Sequence, residues 1–207
     1  MTERRRPEIS PRKQPQQARS TELVAAILEA AIQVLVKEGA QRFTTARVAE
    51  KAGVSVGSVY QYFPNKVSIL FRLQADEWTQ TTALLVDILE DAAQTPLERL
   101  RALVHAFIKS EFEEAQIRLA LDDAAPLYRD LAEAQEMETS WDLIMQKFMA
   151  QVLPTASSAQ QTMAGNLIMT TLTTVGEHLS GSERTEEYIQ TYGDAMADMF
   201  CAYLRSF

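Results

Sequence analysis

Apolar residues recur every three or four positions along most of the chain, the spacing of helices with one buried face. Leu23, Ile27, Ala31, Val34 and Leu35 form the inner stripe of a first helix. Ser20 or Thr21 caps it, and Gly39 ends it after Glu38. A short helix follows, capped by Thr44 or Thr45, with Val48, Ala49 and Ala52 inside. Gly53 supplies a left-handed turn, Val54 fills the corner, and Ser55 caps a second short helix over Val56 to Phe63. Pro64 pushes the residue before it out of helical space, and Asn65 can cap a new helix from Lys66.

That next helix is a long rod. Leu70, Leu73, Glu77/Trp78, Leu84/Leu85 and Ile88/Leu89 keep helical spacing to about Ala93. Thr95, Pro96 and Glu98 then compose a helix start with a capping box, and Leu100, Val104, Phe107, Ile108 and Phe112 continue it. A short Ala/Asp-rich piece over about 115–124 stops at Pro126. A further helix is predicted from Leu127 through Val152, closed by Pro154, and two more over about 159–179 and 185–205. No strand alternation competes, and no internal repeat is visible. The fold class expected is all-α: an N-terminal three-helix helix-turn-helix domain, joined by a long helix to a helical body.

The stretch from Phe43 to Lys66 carries the chemistry. On its second helix Val59 and Phe63 turn inward, leaving Ser58, Tyr60, Gln61 and Tyr62 outside without an acidic residue among them. Hydroxyls, an amide and phenols suit a DNA surface, where carboxylates would be repelled by phosphate. An ordinary helical hairpin with exposed tyrosines is the plainer alternative. In order and spacing, F-T-T-x-x-V-A-x-x-A-G-V-S-x-G-S-V-Y-Q-Y-F-x-N-K followed by a long amphipathic helix resembles the DNA-binding domain of the TetR family of bacterial transcription regulators. The resemblance covers about residues 20–70; the rest of the chain matches the family only in length and helical character.

The resemblance implies roles for particular residues. Thr45 would bind a phosphate through its hydroxyl or helix-start amide, with Thr44 nearby, and Lys66 would neutralise another. Tyr60 and Tyr62 would meet the backbone or a thymine methyl. Ser58 and Gln61 would read base edges, glutamine being able to pair bidentately with adenine. Gly57 would let the helix approach the groove closely. Arg47 is a further phosphate or base candidate, and Ser55 and Val56 at the helix start complete the set. Ala46 stands where some relatives carry a long polar reader. The rod would swing the reading head when a ligand binds.

Charge changes the picture further. The chain has 207 residues and a net charge of −8. Residues 1–66 hold 11 Lys/Arg against 6 Asp/Glu, and residues 67–207 hold 9 against 22. A basic head is drawn to a duplex while an acidic body is repelled. Three segments follow: a basic disordered arm (1–19), the helix-turn-helix (20–66) and the helical body (67–207). Arg4, Arg5, Arg6, Arg12, Lys13 and Arg19 in the arm could lie along phosphates or in a minor groove, or the arm could be a frayed end.

One recognition helix reads few bases, so such readers usually pair on two symmetric half-sites. The last two helices, with apolar residues on more than one side, are the candidates for a homodimer interface, the alternative being that both are monomer core. A ligand pocket is expected within about 96–180. Phe107, Phe112, Trp141, Met145, Phe148, Met169 and Leu172 could line it, with His105, Arg118, Glu177 and His178 as polar anchors. The same stripes also fit plain core. Methionines favour a small hydrophobic or amphipathic effector.

The function expected is a dimeric repressor released from a palindromic operator in double-stranded DNA by such an effector. The alternative is a DNA-bound protein whose body takes a protein partner. No HExxH, G-x-S-x-G, phosphate loop or Cys/His cluster marks an enzyme. No metal or cofactor is expected, and a single cysteine, Cys201, precludes an internal disulfide. No apolar run approaches the roughly 20 residues of a membrane span, and no signal-type segment follows the basic N-terminus, so the expected address is cytoplasmic.

Overall fold

The computed structural model describes Ile9, residues 18–180 and residues 185–207, and among them there is helix and no strand. Among the described residues the α-helices are, in order, α1 (Ala18–Arg42), α2 (Thr45–Ala52), α3 (Val56–Tyr60), α4 (Lys66–Glu90), α5 (Pro96–Glu113), α6 (Ala115–Ala124), α7 (Ala132–Val152), α8 (Ser158–Ser180) and α9 (Glu186–Leu204). The chain divides into two compact units. One comprises residues up to Glu77 with Gln116–Ala134; the other comprises Trp78–Ala115 with Gln135–Phe207.

In the first unit α1 is broken at Gly39, whose φ of 75° and ψ of 168° end the regular helix where the sequence places its stop. The freed amide of Ala40 donates to Asp123 Oδ2 at 3.2 Å, so a carboxylate from the last turn of α6 satisfies a group that the break would leave unpaired. Ile27, Leu35, Phe43, Val48 and Val59 are fully buried in this unit's core, and Leu121 and Ala124 of α6 are buried with them. Ile9, inside the segment expected to be a disordered arm, is also buried there; the arm's Arg4, Arg5, Arg6, Arg12 and Lys13 lie outside the described residues, as does the side chain of Arg19. Tyr128 is buried, its hydroxyl 3.0 Å from both Gln74 Oε1 and the Leu121 carbonyl.

The second unit packs α5 against both α8 and α9. Two glycines permit the close approach. A Cβ at Gly176 would stand 2.7 Å from Glu111 Cγ, and one at Gly193 would stand 2.7 Å from His105 Nδ1. Arg99 is buried in the same unit, donating to the Leu89 carbonyl and to Gln151 Oε1, with its guanidinium over the Phe148 ring. The predicted capping box at Thr95 and Glu98 is present.

Four boundaries differ from the sequence expectation. The first helix starts at Ala18, so Ser20 and Thr21, the expected caps, lie within it. The recognition helix stops at Tyr60 rather than Phe63, and the rod stops at Glu90 rather than near Ala93. The helix expected from Leu127 starts at Ala132, because Pro126 sits in a 3-10 turn over Ala125–Leu127. The rod is 25 residues long, about 37 Å at 1.5 Å per residue.

Candidate nucleic-acid interface

Four capping residues position the head. Thr44, extended at φ −139° and ψ 149°, accepts from the Arg47 amide and starts α2. Gly53 ends α2 in the left-handed region at φ 68°, and its amide reaches the Glu50 carbonyl at 3.2 Å. Ser55 opens α3, its Oγ accepting from the Ser58 amide at 3.0 Å and lying 2.8 Å from Ser58 Oγ. Asn65 caps α4 through Oδ1 and the Ser68 amide, also at 3.0 Å. Helix, turn and helix thus rest on side-chain caps that the sequence supplies at each junction.

The surface this displays is free of acids. No Asp or Glu occurs between Glu50 and Asp76. Ser55, Val56, Gly57, Tyr60 and Gln61 are exposed, while Ser58 and Lys66 are half-buried. Two expected contacts differ. Tyr62, placed outside by continuing α3 to Phe63, is 5% exposed, because the helix has ended and the chain turns its ring into the core. Thr45 is 7% exposed, its side chain inward; the open hydroxyl at this helix start is that of Thr44. Arg47 is exposed on α2 and forms an ion pair with Glu38 of α1. Glu38 carried no signal in the sequence, since the pair forms only when α2 folds back beside the end of α1.

The expected pocket residues do not gather in one place. Phe107, Phe148 and Leu172 are sealed in the second unit's core, where the inward faces of their helices meet. Trp141, Met145 and Met169 line a hollow of about 260 Å³ between α7 and α8, together with Met149, Gln161 and Asn166. The indole N–H of Trp141 is buried without a hydrogen-bond partner. His105 and Phe112 border a different, open hollow of about 580 Å³ between α5 and the start of α9. His105 is already engaged there, its Nε2 3.0 Å from Asp194 Oδ1. Arg118 is in the other unit altogether, paired with Glu77 at 2.7 Å. His178 is exposed on α8, and the Glu177 side chain lies outside the described set. Among the described residues no cluster of His, Cys, Asp and Glu could hold a metal ion, and no helix is long and apolar enough to cross a membrane.

Residues 27–73, which contain this helix-turn-helix, match the bacterial regulatory proteins of the tetR family, and residues 95–207 match the tetracyclin repressor-like C-terminal domain. The chain belongs to the TetR family. The TetR family is one of transcriptional regulators and not of enzymes.

Among curated proteins, the chain is similar to the nucleoid occlusion factor SlmA of Vibrio campbellii, 36% identical over 83 residues that cover 40% of this chain and 42% of that protein. It is also similar to the HTH-type transcriptional repressor KstR of Mycobacterium tuberculosis, 30% identical over 122 residues that cover 59% and 54%. The chain thus spans about half the length of the curated relatives it matches. Its fold is like that of a regulator described as a putative transcriptional regulator from Pseudomonas aeruginosa PAO1, with a TM-score of 0.73, 16% identity and coverage of 93% and 96%. The ketosteroid transcriptional regulator KstR2 of Mycobacterium tuberculosis shares the fold at a TM-score of 0.64, with 17% identity and coverage of 92% and 97%.

Proposed function

We propose that this TetR-family protein is a sequence-specific DNA-binding repressor that acts as a homodimer on a palindromic operator and is released by a small hydrophobic or amphipathic effector. One observation carries the reading: the exposed, acid-free face of α3, set on a bihelical unit whose every junction is capped. Ser58 and Gln61 would read base edges, and Thr44, Tyr60 and Lys66 would hold the backbone. Acting on chromosomal DNA puts the protein in the cytoplasm.

The dimer rests on α8 and α9. Met163 (58% exposed) and Leu167 (50%) on α8, and Met199 (52%) on α9, are large apolar side chains left open. Covering them with the same helices of a second copy removes that surface from water and sets two heads at a fixed spacing. The effector would enter the helical body, residues 67–207, where the hollow at Trp141 sets Met145, Met149 and Met169 beside polar Gln161 and Asn166, the mixed lining an amphipathic molecule needs. An effector that favours a conformation with badly spaced heads loosens the operator complex by population shift.

The test is recovery of genomic fragments on the purified protein at moderate salt. A shared palindrome upstream of a few genes supports the reading. Enrichment without a symmetric motif, lost steeply as salt rises, leaves only phosphate attraction and removes both operator and dimer geometry.

A further inference from the structure

The ion pair between Arg47 and Glu38 bears on how strongly the head grips DNA. Arg47 stands on α2 with its side chain 46% exposed, on the unit that presents α3. Glu38, 26% exposed, is the last residue before the break at Gly39, and the next amide is tied by Asp123. The carboxylate is therefore held at the fixed end of a helix rather than on a loose loop. A guanidinium that meets a phosphate releases about 0.9 counterion per contact, whereas one already neutralised by a carboxylate contributes no net charge.

We infer that Glu38 is a positioning residue that holds Arg47 off the DNA backbone. It competes with phosphate for the guanidinium, lowers the sequence-independent part of the affinity, and leaves more of the discrimination to α3. The inference rests on the DNA-binding reading above. Its chemistry is a partner exchange, carboxylate for phosphate, with no change in covalent structure. The sequence shows a basic head; the structure sets one of its arginines, Arg47, beside the Glu38 carboxylate.

Full-length wild type, Glu38→Gln, Glu38→Asp, Arg47→Ala and the Glu38→Gln/Arg47→Ala double variant would be titrated with a mixed-sequence DNA duplex about three helical turns long, over a salt series. Glu38→Gln is expected to tighten binding about two- to five-fold, the range of an exposed ion pair. It should also steepen the log–log salt slope by about 0.9. Glu38→Asp keeps the charge but withdraws it by one methylene, and should fall between wild type and Glu38→Gln.

With Arg47 removed, Glu38→Gln should leave the slope unchanged. An equal change of slope in both backgrounds would reduce Glu38 to a general surface charge and overturn the inference. So would no change in either, or weaker binding by a Glu38→Gln protein whose circular dichroism and melting match wild type. If wild type binds no duplex at any salt, the DNA reading itself fails. If it binds with a slope that Glu38→Gln does not alter, only the role of Glu38 fails.

Discussion

Gly57 and Gly53 lie four residues apart in the same motif, and the same substitution should do opposite things at each. At Gly57, the second residue of α3, an added Cβ would meet nothing nearer than Ser55 Oγ at 3.7 Å, an ordinary contact, and the backbone is right-handed. Gly57→Ala then adds helix propensity, up to about 1 kcal/mol. For a chain of this size that raises the melting temperature by about 2–4 °C. If α3 enters a groove with its glycine against the DNA, the new methyl stands in the interface. Wedging one methyl into a close contact costs about 1–3 kcal/mol, or about 5- to 150-fold in operator affinity.

Gly53→Ala meets nothing within 4 Å, yet it must adopt φ 68°. The left-handed backbone costs an L-residue about 1–2 kcal/mol, so this variant should melt lower. Scanning calorimetry and anisotropy titration of a recovered operator fragment read the two effects separately. A Gly57→Ala protein that melts higher and still binds its operator at wild-type strength would place Gly57 away from the DNA and refute the docking argument.

Other outcomes follow from the same structure. Thr44→Ala removes the cap on the Arg47 amide and should cost about 1 kcal/mol in urea denaturation. The Tyr128 phenol is pushed above its ordinary pKa of 10.0 by burial first, then by Asp122 and Glu77. Its folded state holds the proton longer than the unfolded state does, so the stability it contributes is complete below pH 10.0 and lost as pH rises above it. Tyr128→Phe should lower the urea midpoint at neutral pH by the equivalent of about 1 kcal/mol and lessen the alkaline decline; an equal decline in both proteins counts against this site. Gly176→Ala forces a Cβ to 2.7 Å from Glu111 Cγ and 3.1 Å from Phe107 Cε1, both residues 7% exposed. Overpacking of about 1–3 kcal/mol against a propensity gain of up to about 1 leaves net destabilisation near 1 kcal/mol, and a thermal melt that rises instead would show that Glu111 yields freely.

Local signals were the readable ones. Ser55, Asn65 and Thr95 cap the helices the spacing assigned to them, and Gly39 and Gly53, where a stop and a turn are expected, have positive φ. Each of these is decided by a few neighbouring residues. Tyr62 was misplaced because a five-residue helix and an eight-residue helix share the same caps and differ only in where tertiary packing ends them. Likewise, nothing in the periodicity of residues 116–134 says which core receives them, so Arg118 reads as a body anchor and is found beside Glu77. The hollow at Trp141 draws on α7 and α8 together, a juxtaposition that spacing along either helix does not encode.

The division of the chain has a consequence for how the protein can be taken apart. The backbone passes from one unit to the other three times, after Glu77, after Ala115 and after Ala134. A fragment ending at Glu77 would keep α2 and α3 but leave behind Leu121, Ala124, Tyr128 and Leu131, all buried in the same core, and the carboxylate that satisfies the Ala40 amide. The reading head is therefore not a detachable cassette. Grafting it onto another regulator's body requires two separate stretches of sequence to be carried over together, and a graft of the first alone would inherit α2 and α3 on a unit with part of its interior missing.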